Sequence, residues 1–225
     1  MTAIAITTFN DLLTDLAEKV GETTINSEDA RKRKINSAYQ FIANKELWWW
    51  LETSSTATTT TATDYALPSG FRAFHPKNPL KIGSAWRNLV PFENLQIYDG
   101  TTSVVNLPML VSNRMAYIYG SRVYFIQDSM SASQTITYYY YQTITTLDAT
   151  SDEPLMPVAF REMISLLAAG MHLQSQGGVE AEEGKTYLEL FDTSLQDMKS
   201  DQDNRRSMGI KRRSLDPEEG NVFGN

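Results

Sequence analysis

An α+β architecture is the prediction for this 225-residue chain: a helical bundle made of N- and C-terminal helix pairs, an inserted β-sandwich or barrel-like module, and an extended C-terminal tail. Three observations predict it. Apolar residues recur at helical spacing near both ends, whereas the middle alternates and is rich in Thr and Tyr. The run Trp48-Trp49-Trp50 stands where the first regime gives way to the second. Neither helix pair can bury its apolar stripe alone, so the outer halves must meet around the insert. The expected parts are 1–51 and 148–204 for the two halves of the bundle, 52–147 for the β module and 205–225 for the tail.

The first helix follows from Phe9, Leu12, Leu13, Leu16 and Val20, with Thr7 or Thr8 as N-cap and Gly21 as its stop. A second starts near Ser27, with Glu28 and Asp29 in the first turn where the helix dipole favours acids. Its stripe is Ile35, Tyr39 and Ile42, and it is expected to continue to about Trp50. Consecutive helical residues point about 100° apart, so three rings in a row cannot all face one core. At least one is then expected to pack away from the bundle. The alternatives are a rigid junction between the two parts and a solvent-facing Trp that stacks on a ligand or partner.

After the tryptophans, the β-branched ladder from Thr53 to Thr63 favours an extended pleat. Tyr65-Ala-Leu-Pro68 reads as a strand ended by proline, and Met115–Tyr119 and Arg122–Ile126 flank the hairpin signal Gly120-Ser121. Residues 134–142 alternate Ile136, Tyr138 and Tyr140 against Thr135, Thr137, Tyr139 and Tyr141, and Pro91–Tyr98 allows one or two helical turns. Helix returns at Pro157, which suits a first helical position, with Phe160, Met163, Ile164, Leu167 and Met171 on one face. Gly177-Gly178 breaks it. A last helix from 179 to about 203 points Tyr187, Phe191, Leu195 and Met198 inward and its acids outward. Beyond 205 no apolar period remains, and Asp216-Pro217 with three glycines argues against a solitary helix.

Composition excludes several function classes. With no cysteine there is neither a disulfide nor a thiolate metal site, which fits a cytosolic setting better than a small secreted scaffold. No apolar run is long enough to span a membrane, and the first residues lack the basic and apolar regions of a signal peptide. The net charge of −7 is a poor basis for general nucleic-acid binding. No cofactor fingerprint is present: there is no Walker loop, no G-x-G-x-x-G, no H-E-x-x-H and no G-x-S-x-G. His75 and His172 stand far apart and read as structural or surface residues, and the acids of the last helix read as a solvated face. Enzyme function finds no support. The basic run Arg31, Lys32, Arg33 and Lys34 spans one turn, so its charges spray around the helix. Acids of a neighbour or partner, plain solvation and DNA are the three readings, in that order. The tyrosines fit a sheet with one buried and one half-buried face, or a carbohydrate platform.

The segment Arg33-Lys-Ile-Asn-Ser-Ala-Tyr-Gln-Phe-Ile-Ala43, then Leu47-Trp-Trp-Trp-Leu51 and Tyr65-Ala-Leu-Pro68, resembles the start of bacteriophage head–tail adaptor (connector) proteins of the tail tubular protein A type and related portal adaptors. Met115–Ile126, Ile136–Tyr141 and Ser151-Asp152 with Leu155-Met-Pro157 extend the likeness, which covers roughly residues 9–200. The resemblance implies a non-enzymatic virion protein of the neck, assembled in the host cytoplasm. It further implies a ring of about twelve copies that docks on the portal, carries the tail or nozzle proteins and continues the DNA channel. The long threonine strand has no counterpart in that pattern.

The charges fit such a role. Glu180, Glu182, Glu183 and Glu189 are candidates for lining a channel from which like charge repels DNA. Arg205, Arg206, Lys211, Arg212 and Arg213, with the aromatic Phe223, are candidates for reaching the portal, and Arg31–Lys34 for a contact between subunits or with a partner. A lone exposed ion pair contributes only about 0–1 kcal/mol, but repetition around a ring makes weak tails a firm joint. The competing class is a carbohydrate- or receptor-binding β module on a helical stalk. It places affinity in 52–147, whereas the adaptor reading places it in the helices and tail.

Overall fold

The computed structural model describes residues 6–21, 27–60, 62, 64–91, 115–125 and 132–213, the last six by backbone alone. The chain forms two compact units, Met1–Trp50 with Thr145–Asn225, and Leu51–Ile144.

The described residues of the first unit form four α-helices, α1 (Phe9–Val20), α2 (Glu28–Lys45), α3 (Glu162–Gln174) and α4 (Gly178–Arg213). Thr8 starts α1 with a capping box: its hydroxyl accepts from Asp11 N, and the Asp11 carboxylate accepts from Thr8 N at 2.9 Å. These bonds and those from Thr7 hold Asp11 down at about 2. Gly21, at φ 73°, ends α1 in the left-handed region that glycine favours. Ser27 caps α2 by accepting from Ala30 N.

The α3 helix is the centre of this unit. It runs Met163 to Gly170 without an exposed residue and packs against α1, α2 and α4. Hydrogen bonds bind the returning strap 147–156 to α1 and α2. Asn36 clasps Leu147 through both its amide and its carbonyl, each at 2.9 Å, and Tyr39 Oη accepts from Leu155 N. Buried Arg161 donates to the carbonyls of Met156, Pro154 and Thr7, tying the strap to the N-terminus. These bonds satisfy irregular backbone that no ladder serves.

Gly170 and Gly184 let α3 and α4 approach to backbone contact. A Cβ on Gly184 would meet Gln174 N at 2.8 Å and Gly170 O at 2.9 Å. Gly177 and Gly178, both at positive φ, make the turn between these helices.

Among the described residues, the second unit is one eight-stranded sheet curled into a half-barrel, rather than two stacked layers. Its strands are β1 (Glu52–Thr58), β2 (Asp64–Ala66), β3 (Phe71–Phe74), β4 (Leu80–Ile82), β5 (Ala85–Leu89), β6 (Met115–Tyr119), β7 (Arg122–Phe125) and β8 (Thr135–Gln142). The order is β1-β8-β4-β5-β6-β7-β2, and β3 also pairs with β8. All pairs are antiparallel except β5 with β6. Alternation in β8 sorts the tyrosines: Tyr138 and Tyr140 enter the core with Ile136, Leu80, Ile82, Val123 and Phe125, while Tyr139 faces out. Against the expected ladder to Thr63, β1 ends at Thr58. Buried Thr59 turns the chain by accepting from Gln134 N at 2.8 Å and exchanging backbone bonds with Ser133 and Gln134.

Several expectations change. The helix predicted to reach Trp50 ends at Lys45, with Glu46 extended and a 3-10 turn at Trp49–Leu51. Met171, expected on the apolar face of α3, is 51% exposed; His172 is buried instead. The chain does not leave helix near 203, since α4 continues through Arg213. Of the segment 91–98, where helical turns were expected, all but Pro91 lies outside the described residues.

Candidate functional site

The clearest assembled site in the helical unit is the tryptophan turn and the stretch of α4 across from it. Trp48 is fully buried and its Nε1 donates to Ile42 O at 2.7 Å, closing the end of α2. Trp50 stacks on Tyr39 at 6.3 Å. Trp49 meets Trp48 and Phe160 edge-on, and the Arg205 guanidinium lies 5.0 Å from its ring centre. Buried Gln202 stitches the two strands of chain together: its Oε1 accepts from Trp49 N and its Nε2 donates to Glu46 Oε2, both at 3.2 Å. Lys199 pairs with Glu46 at 3.3 Å, and Arg206 reaches Leu47 O at 3.5 Å.

This geometry corrects the expectation that one ring must pack away from the helices. That expectation assumed 100° helical steps. Once α2 ends at Lys45, the rings are free of that spacing, and all three find partners within the helical unit. Sequence reading missed Gln202 and Glu46. The available signal was the stripe itself: Leu195 and Met198 step on to Gln202, a polar side chain at an inward position.

Two of the cations expected to reach outward are thus engaged within the chain. Arg205 holds Asp201 at 2.7 Å as well as Trp49. The backbone of Lys211, Arg212 and Arg213 is helical, and Phe223 lies outside the described residues. The acids Glu180, Glu182, Glu183 and Glu189 are all exposed along the first half of α4. Glu183 accepts from Tyr187 Oη at 3.4 Å, and burial followed by the Glu183 charge pushes the Tyr187 phenol up. In the basic run, Lys32 pairs with Glu28 at 3.2 Å, Arg33 is exposed and Arg31 is half-buried. Burial, and then the nearby positive Lys34, hold the His172 imidazole below its ordinary range.

The half-barrel carries a separate cleft of about 240 Å³. Glu52, His75, Asn78, Trp86 and Tyr139 line it. Trp86 leans on Tyr139 at 5.4 Å and remains 43% exposed, with the Lys81 ammonium 5.8 Å from its ring centre. His75 stacks on Tyr141, and its Nδ1 faces Asn78 N at 3.4 Å. Glu52 Oε1 accepts from Tyr141 Oη at 3.0 Å. Among the described residues, no three His, Asp or Glu side chains converge as metal ligands, and no helix is long and apolar enough to cross a membrane.

A family model described as SU10 adaptor protein matches residues 7–214, nearly the whole chain and both compact units. No curated protein matches it.

Proposed function

The chain belongs to the SU10 adaptor protein family, a membership consistent with a phage head–tail adaptor, and on that premise we propose that it is a non-enzymatic neck protein whose copies form a ring between portal and tail. The observation that carries the reading is the charge order along α4. Over 36 residues, about 54 Å of helix, acids run from Glu180 to Asp203, interrupted by Lys185 and Lys199, and Arg205, Arg206, Lys211, Arg212 and Arg213 close the last turns. An acidic helix surface repels DNA phosphates, which suits a channel that must pass the genome without holding it. A basic end suits an acidic portal surface.

Residues have distinct parts in this reading. Glu180, Glu182, Glu183 and Glu189 line the channel. Arg205 and Arg206 hold α4 against the tryptophan turn, so portal attachment rests on Lys211, Arg212, Arg213 and Phe223. The exposed Arg33, with Arg31, Lys32 and Lys34 around it, meets an acidic neighbouring subunit. Trp48, Trp49 and Trp50 are the domain junction, packed within the first unit where it gives way to residue 51. A ring of about twelve copies forms on the portal template, because repetition multiplies joints that are individually weak.

The test is co-sedimentation and negative-stain imaging of the full chain with cognate portal rings. The expected result is a second ring on the portal, lost on replacing Lys211, Arg212 and Arg213 together by glutamine and weakened by salt. A truncation should fall after Arg213, since cutting at 205 would also remove the Trp49 and Leu47 contacts. Failure to bind portal rings refutes the joint. Binding that is indifferent to the triple substitution and to salt refutes its electrostatic basis.

A further inference from the structure

We propose that the cleft on the half-barrel, bounded by Glu52, His75, Asn78, Trp86 and Tyr139, is a binding site for one neutral sugar ring of an oligosaccharide. It is independent of the portal joint, being built from residues 52–140 alone.

Three features select the ligand. The first is the platform. Trp86 lies on β5 opposite Lys81 of β4, and its indole remains substantially exposed in a concave setting rather than buried in the sheet core. Tyr139, tilted at 42° against it, makes a second wall. A pyranose presents polarised C–H bonds on its flat faces, and these suit the negative face of an aromatic ring.

The second is the ring of polar groups. Glu52 Oε1 is engaged by Tyr141, which leaves Oε2 to accept from a bound hydroxyl. The contact of His75 Nδ1 with Asn78 N leaves the imidazole Nε2 for the ligand, and the Asn78 amide can both donate and accept. A few convergent polar groups around an apolar wall are the usual composition of a small-molecule site.

The third is charge. The Glu52 carboxylate and the Lys81 ammonium over the indole carry opposite charges at this cleft, so together they favour neither an anion nor a cation. A neutral polyhydroxyl ligand fits that balance. The cleft is small, at about 240 Å³, so it takes one ring and leaves the rest of an oligosaccharide outside.

The experiment is saturation-transfer NMR on the full chain with four neutral trisaccharides, built from glucose, galactose, mannose and N-acetylglucosamine. A Gly-Arg-Gly-Arg-Gly peptide serves as the cationic competitor. At least one trisaccharide should receive saturation on the protons of a single ring. Trp86→Ala should weaken that binding by about tenfold or more, and Glu52→Gln by several-fold. Both positions are exposed, so the melting temperature should hold; Trp86→Phe, which keeps an aromatic face, should retain part of the affinity if Trp86→Ala does not fold. The proposal is overturned if none of the four sugars binds, or if binding is unchanged in Trp86→Ala or Glu52→Gln. It is also overturned if the peptide rather than a sugar occupies the cleft in a Trp86-dependent way. Loss of portal binding would not bear on any of these outcomes.

Discussion

Replacing Gly184 by alanine sets two well-known effects against each other. On propensity alone, Gly→Ala inside a helix stabilises by about 1 kcal/mol. Here the added methyl would stand 2.8 Å from Gln174 N, 2.9 Å from Gly170 O and 3.0 Å from Leu173 Cβ. Two of those atoms are backbone of α3, and α3 is pinned between α1, α2 and α4, so no rotamer change relieves the clash. Overpacking of a tight core costs about 1–3 kcal/mol, and backbone neighbours place this site at the upper end. The net expectation is a loss of about 2 kcal/mol, or roughly 4–8 °C in the melting temperature for a protein of this size. The assay is a thermal melt followed by far-UV circular dichroism, with a urea titration as a second measure. Ser200→Ala, on the exposed side of the same helix, reports propensity without packing and should melt at or slightly above wild type. If Gly184→Ala matches the Ser200→Ala control, propensity has won and α3 and α4 are not in backbone contact.

Three further outcomes are expected. Arg161→Leu should cost about 3–5 kcal/mol in urea, because three carbonyls lose a charged donor at once, and a loss below about 1 kcal/mol would mean that water serves them equally well. His172 should make stability fall on mild acidification: its lowered native pKa means that the unfolded chain binds the proton more readily, so stability is complete above about pH 6.5 and is lost as pH drops toward the native value. His172→Gln should flatten that limb, and Lys34→Gln should raise the native imidazole titration seen by NMR; an unmoved midpoint would refute the Lys34 contribution. In the tryptophan turn, Gln202→Leu should cost about 1–2 kcal/mol by stranding Trp49 N–H and removing one donor from Glu46 Oε2, and Arg205→Ala about 0.5–1 kcal/mol; calorimetry giving the reverse ranking would make the cation, not the amide, the main clasp.

Features that depend on neighbouring residues were legible in the amino-acid order. Periodicity placed the four helices of the described residues, Thr8 and Gly21 bounded the first one, and Gly177-Gly178 made the α3–α4 turn, because caps and stops act within a few residues. Alternation placed β8 and the hairpin of β6 and β7, and the family followed from spaced motifs along the chain. Where the tryptophans face depends on contacts between distant parts of the chain. The end of α2 depends on Trp48 Nε1 reaching back to Ile42 O and on Gln202, distant in sequence by more than a hundred residues, accepting from Trp49 N. The same holds at the end of α4. Residues 205 and 206 lack an apolar stripe of their own, yet they remain helical where Arg205 lies on Trp49 and Arg206 reaches Leu47. The cleft on the half-barrel was invisible for a related reason. Glu52, His75, Trp86 and Tyr139 come from four separate segments, and the curl of the sheet sets them side by side. Local rules specify which face of a strand a side chain takes; register and curvature, which sum over the whole sheet, specify its neighbours.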